Sequence, residues 1–187
     1  MPALHRPLSP LSPLSLLSPR ALLVALSLGL SGAVQAGPPP QVYALQDGIT
    51  VEGKVEIGAP PDKVKALVRD PVATLRASGS NTLIKSGAKE GGCGLFTWTV
   101  TNPILNVEWV GRHCSTGAGG ETKLVSSGDL EAHRASFVVE DLGGGRSRLV
   151  YQVLTVPKAP IPDAIIRRAT IKEVTSFLSH LQLNLER

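Results

Sequence analysis

Cysteine, methionine and aromatic residues are all scarce in this chain. Its 187 residues hold two cysteines, one methionine and seven aromatics: two Trp, two Tyr and three Phe. Two cysteines exclude a disulfide-dense miniprotein and any four-cysteine zinc site. Catalytic signatures are missing too: there is no Gly-x-Ser-x-Gly elbow, no His-Glu-x-x-His pair and no phosphate loop ending in Gly-Lys-Ser/Thr. No cofactor and no metal is expected. His113 and His133, with Asp129 and Glu131 near them in sequence, read first as hydrogen-bonded bystanders. Charge is thin at 18% of residues, against 42% hydrophobic, so the chain can bury a core, and its length suits one domain.

The basic balance, 19 Lys+Arg against 15 Asp+Glu, has to be located before it is interpreted. Arg6 and Arg20 are the only charges before Asp47 apart from the terminus. Behind Arg20 runs Ala21–Leu30, an apolar stretch of signal-peptide length, and then Ser31-Gly32-Ala33-Val34-Gln35-Ala36, with small residues at the cleavage positions. This pattern predicts a signal peptide over residues 1–36, with an uncleaved anchor as the alternative, and a periplasmic or secreted protein. Cleavage after Ala36 takes both arginines and leaves 151 residues with 17 basic against 15 acidic. No Lys/Arg cluster with interleaved aromatics survives, so nucleic acid is not an expected partner.

Residues 37–48, opening on Gly37-Pro38-Pro39-Pro40, read as a flexible linker, and 49–187 as the folded domain. Ile49, Val51, Gly53, Val55 and Ile57 alternate with Thr50, Glu52, Lys54 and Glu56, the pattern of a half-buried strand. Ala59-Pro60-Pro61-Asp62 opens a helix with Val64, Leu67 and Val68 on its buried side. Asp70-Pro71 ends it, and a second short helix follows. Six strands come next, two hairpins among them, and then a helix from Asp163 to about Leu185. The class is α+β, with a seven-stranded antiparallel sheet.

One hairpin can be read in register. Cys93 and Cys114 sum to 207, as do Trp98 with Trp109, Phe96 with Gly111 and Val100 with Val107. A single pairing therefore sets the cysteines opposite each other and stacks the tryptophans on the other face. In an oxidising compartment this predicts a Cys93–Cys114 disulfide on the outer face, two unpaired thiols being the alternative. The inner face carries Phe96, Trp98, Val107, Trp109 and, near one end, His113. Phe137 and Val139 continue it on the next hairpin, with Tyr151 and Val153 opposite, and the last helix adds Phe177. Six of the seven aromatics thus gather on one side of the sheet. Two readings fit: a filled sheet–helix core, or an apolar pocket in which these ten residues bind a ligand.

The run Val55-x-Ile57-x-Ala59-Pro60-x-x-x-Val64-x-x-Leu67-x-x-Asp70 resembles the opening of the START-like superfamily, which includes polyketide cyclases and lipid-transfer proteins. The ending is similar as well: Pro157, then Ile161-Pro162 leading into the helix with Phe177, Leu178, Leu181 and Glu186. The resemblance spans about Ile49 to Arg187. It implies a helix-grip fold, in which a curved sheet wraps a long C-terminal helix around a hydrophobic cavity. It also implies a hydrophobic small molecule or lipid as partner, transient membrane contact and a monomer. A cyclase or dehydratase using His113, His133 or Tyr151, and a cell-envelope interaction module, are the alternatives.

Overall fold

Alternation from Val51 to Ile57 forms a strand because every second residue has an apolar face to bury. The computed structural model describes residues 37–187 except Gly48, Asn81 and 102–105, with Thr101 described by backbone only. Its strands are β1 (Gln41–Ala44), β2 (Val51–Ile57), β3 (Leu83–Glu90), β4 (Cys93–Thr101), β5 (Asn106–Ser115), β6 (Gly119–Ser127), β7 (Leu130–Gly143) and β8 (Arg146–Pro157). Its helices are α1 (Pro61–Val68), α2 (Pro71–Ala77) and α3 (Asp163–Leu185). The strands make one antiparallel sheet in the order β1-β2-β8-β7-β6-β5-β4-β3.

The α+β helix-grip architecture stands as expected, with eight strands rather than seven. The extra strand is β1, which lies within the segment read as a linker. Gln41 to Ala44 pairs with Val51 to Lys54, and the Gln182 side-chain amide donates to the Pro38 carbonyl at 3.2 Å. The segment preceding β2 is therefore part of the fold. Its proline run masked a strand of only four residues, and an edge strand needs hydrogen bonds along one side alone.

Local chemistry fixes the helix ends. Proline stands in the first turn of α1, where its missing N–H costs nothing, with Asp62 beside it. The Asp70 carboxylate caps α2, accepting from the backbone N–H groups of Val72 and Ala73 at 2.9 and 3.1 Å. The C-terminal half of α3 settles onto β2 at Gly53. A β-carbon there would stand 2.5 Å from Leu178 Cδ1 and 2.8 Å from Val174 Cγ1, so any side chain at this position forces those two to move.

The β4–β5 register is the expected one across its whole length, from Cys93–Cys114 to Thr101–Asn106. A disulfide joins Cys93 and Cys114, and Trp98 and Trp109 stack at 5.0 Å with their planes 6° apart. Denatured but unreduced protein should titrate no free thiol, and Cys114→Ala should lower unfolding stability by about 3 kcal/mol. Two titratable thiols would contradict the pairing.

Candidate functional site

Two apolar clusters lie on the helix-covered face of the sheet. One is filled by Val51, Val55, Ile57, Val64, Val68 and Leu149 against Val174, Leu178, Leu181 and Leu185 of α3. The other gathers Phe96, Trp98, Val107, Trp109 and Leu130. Between them the N-terminal half of α3 roofs a cavity of about 480 Å³. The chain therefore leaves space where a filled core would have closed it.

Eight of the ten residues expected to face a ligand line this cavity: Trp98, Val107, Trp109, His113, Phe137, Tyr151, Val153 and Phe177. Two do not. Val139 is buried in the filled cluster opposite Leu149, beneath the part of the fold that packs tightly. Phe96 faces a separate pocket of about 470 Å³ between the α1–α2 junction and β3–β4. Both have the inward parity, but parity assigns a face and not a position along it. The seventh aromatic, Tyr43, lies on the opposite face of the sheet, where its hydroxyl donates to Glu52. Gln152 also donates to Glu52 there, at 2.5 Å, so it is not available to orient a ligand.

The aromatic lining has two parts. Trp109 continues the Trp98 stack toward His133, whose ring centre is 4.2 Å away. Gly111 makes room for that stack, because a β-carbon there would stand 2.3 Å from Trp109 Cζ3. Across the cavity Phe137 and Tyr151 stack at 4.5 Å, and Phe177 closes a three-ring group at 5.1 Å from Tyr151 and 6.0 Å from Phe137.

Most polar groups of the lining are already engaged. His113 Nδ1 is hydrogen-bonded to Thr122 Oγ1 at 2.9 Å, and His133 Nδ1 to Thr155 Oγ1 at 3.0 Å. Thr170 Oγ1 donates back to the Ile166 carbonyl, and Thr74 Oγ1 to the Leu67 and Asp70 carbonyls. Other groups of the lining lack a hydrogen bond among the described residues. Trp98 Nε1 and His113 Nε2 are buried without one of good geometry, His113 feeling the Arg69 backbone. The Tyr151 hydroxyl and the Glu173 carboxyl also have none, and both residues line the cavity.

Sequence reasoning missed several lining residues, among them Leu130, Ala135, Ile166 and the acidic Glu173. Glu173 interrupts the apolar stripe of α3, four residues after Ala169 and four before Phe177, and that spacing was the available signal. It is solvent-exposed and lines the cavity, and the protein around it still desolvates the carboxyl enough to push its pKa up. Burial, assisted by the Glu173 charge, pushes the Tyr151 phenol strongly up, so Tyr151 stays protonated.

Burial acts on the histidines in the opposite sense. It lowers His113, against the partial pull of the Arg69 backbone and the Asp70 charge, and it lowers His133 to about 4. The unfolded chain binds a proton on His133 near pH 6.5 and the folded chain only near 4. Stability present above pH 6.5 should therefore drain as the pH falls through 4, by about 3 kcal/mol. Urea titrations of wild type and His133→Gln between pH 7 and 4 check this. The variant should lose less stability on acidification by about that amount, and equal losses would contradict the burial of a neutral imidazole.

The second pocket is charged rather than apolar, lined by Arg69, Asp70, Lys89 and Glu90, of which the first two hold the fold. The Arg69 guanidinium donates to the Thr116 and Gly117 carbonyls at 2.9 to 3.2 Å, and Asp70 is the α2 cap. His113 and Pro71 line both spaces and stand between them.

No family model matches the sequence, and no curated protein matches it. Solved structures do match the fold. A START superfamily protein from Mycobacterium smegmatis superposes with a TM-score of 0.65 at 15% identity, over 74% of this chain and 97% of that one. The Zhui aromatase/cyclase from Streptomyces sp. R1128 gives 0.63 at 15% identity, over 74% and 93%. A STAR-related lipid transfer protein from Xanthomonas axonopodis gives 0.60 at 14% identity, over 79% and 93%.

Proposed function

Taking as premise the helix-grip fold that this chain shares with START proteins, we propose that it is an exported binding or transport protein. Its ligand is a hydrophobic small molecule or lipid held between the sheet and α3. One observation carries this reading: a cavity of about 480 Å³ opens beside two well-packed clusters, within the range of about 300–1,000 Å³ common for small-molecule sites. Burying about 300 Å² of apolar ligand surface contributes roughly 7 kcal/mol, enough to offset the lower range of association costs. Shape and apolar area supply the affinity, and the few unpaired polar groups orient the guest.

Export rests on the leader pattern of residues 1–36 and accords with a paired Cys93–Cys114, since disulfides persist in oxidising compartments. Among the described residues no helix is long and apolar enough to cross a membrane. Uptake of a poorly soluble guest then calls for transient contact of a monomer with a lipid surface. The names of the solved neighbours, lipid transfer for one and aromatase/cyclase for another, are compatible with an apolar guest.

A catalytic reading draws on one observation, that Tyr151, His133 and Glu173 share the cavity. A protonated Tyr151 and a neutral His133 would serve as general acid and base in a cyclase or dehydratase. Turnover lost in His133→Gln with binding retained is its signature. Binding itself is tested through intrinsic fluorescence: both tryptophans of the chain line the cavity, so a neutral apolar ligand should shift and saturate their emission. An unchanged spectrum, with nothing apolar detected by native mass spectrometry of purified protein, would remove the proposal.

A further inference from the structure

The cavity has an asymmetric charge inventory. Among the described residues, Glu173 is the only Asp or Glu of the lining, and no Lys or Arg lines it. The two lining histidines are kept neutral by burial at physiological pH. A ligand carboxylate or phosphate placed inside would therefore meet no cation and would share the space with a like charge. Among the described residues nothing donates to the Glu173 carboxyl, which is solvent-exposed.

Aromatic residues line the same cavity as that carboxyl. Phe177 follows one turn along the same side of α3. Tyr151, whose phenol feels the Glu173 charge, lies 5.1 Å from the Phe177 ring and 4.5 Å from Phe137. A carboxylate and a three-ring group in one cavity supply both halves of ammonium recognition, an ionic acceptor and negative ring faces. A hydroxyl would satisfy the acceptor but gain nothing from the rings.

We propose that the cavity selects a lipophilic amine, an apolar body bearing a protonated nitrogen that pairs with Glu173 beside the rings of Tyr151, Phe177 and Phe137. This rests on the binding reading above and specifies its ligand class.

The test uses three probes of equal chain length, dodecylammonium, dodecanol and dodecanoate, titrated below their micelle concentrations at neutral pH. Tryptophan emission and calorimetry report binding to the full chain and to Glu173→Gln. Wild type should bind dodecylammonium at least about tenfold tighter than dodecanol, a gap of about 1.4 kcal/mol, with dodecanoate weakest. Glu173→Gln should lose the amine preference and keep dodecanol affinity within about twofold. Melting curves of the variant confirm that the fold persists.

Equal affinity for amine and alcohol, tighter binding of the carboxylate, or an amine preference that survives Glu173→Gln would each overturn the assignment while leaving the cavity a binding site. Failure of all three probes to bind would overturn the binding reading and this assignment with it.

Discussion

Ala135→Phe should abolish binding of a neutral apolar probe, weakening it by at least about a hundredfold, while the protein stays folded. Ala135 lies on the inner face of β7, between Thr122 of β6 and Val153 of β8, and lines the cavity. Ala135 is buried in the cluster under α3 as well as lining the cavity, so a benzyl group there enters the open space and also presses on packed neighbours. Overpacking of this kind costs about 1–3 kcal/mol. Stability should fall by an amount within that range. A hundredfold loss of affinity corresponds to about 2.7 kcal/mol of binding free energy, well within what an occupied cavity can remove. Tryptophan emission titrations and urea unfolding of the same variant separate the two effects. Unchanged affinity would place the binding site elsewhere.

Gly53→Val should have the largest effect on stability, a loss of about 3 kcal/mol or more. The helix is held down at this point, with Val174 and Leu178 both buried against β2. The first added carbon already falls inside contact distance of both side chains, and 3.4 Å from Val42 of β1 on the far side. Valine adds two methyl groups that have nowhere to go, so either α3 lifts or β1 and β2 shift. Gly53→Ala should fall between wild type and valine, since the side-chain ends it meets can partly rotate. An unfolding midpoint for Gly53→Val equal to wild type would show that the helix does not depend on this contact. Because the roof of the cavity is the same helix, probe affinity should fall in parallel with stability.

How much of this was legible in the sequence depends on the kind of order involved. The β4–β5 register was readable because four residue pairs share one index sum and an error of one residue would turn Trp98 outward. The span of α3 was readable from its apolar period and the prolines before it. Strand β1 was not, since four residues behind a proline run carry too few alternations to stand out. Hollow and filled interiors were indistinguishable for a deeper reason. Both need the same apolar faces, and only the seating of α3 decides where they meet. Val139 and Trp109 have equal claims by sequence pattern, yet one is in the filled cluster and the other at the cavity wall. Glu173 was legible in principle as a charge at a stripe position, but charges on long helices usually face water.

Binding in this cavity requires an apolar guest to occupy the space beneath the N-terminal half of α3. A crystal structure of the protein grown with a bromine-labelled neutral alkane, with data collected at the bromine edge, tests this most directly. An anomalous peak is expected inside the cavity, between the Trp98–Trp109 stack and the rings of Tyr151 and Phe177. Bromine bound only on the outer face of the sheet, or a cavity without any peak at a saturating ligand concentration, would contradict binding there.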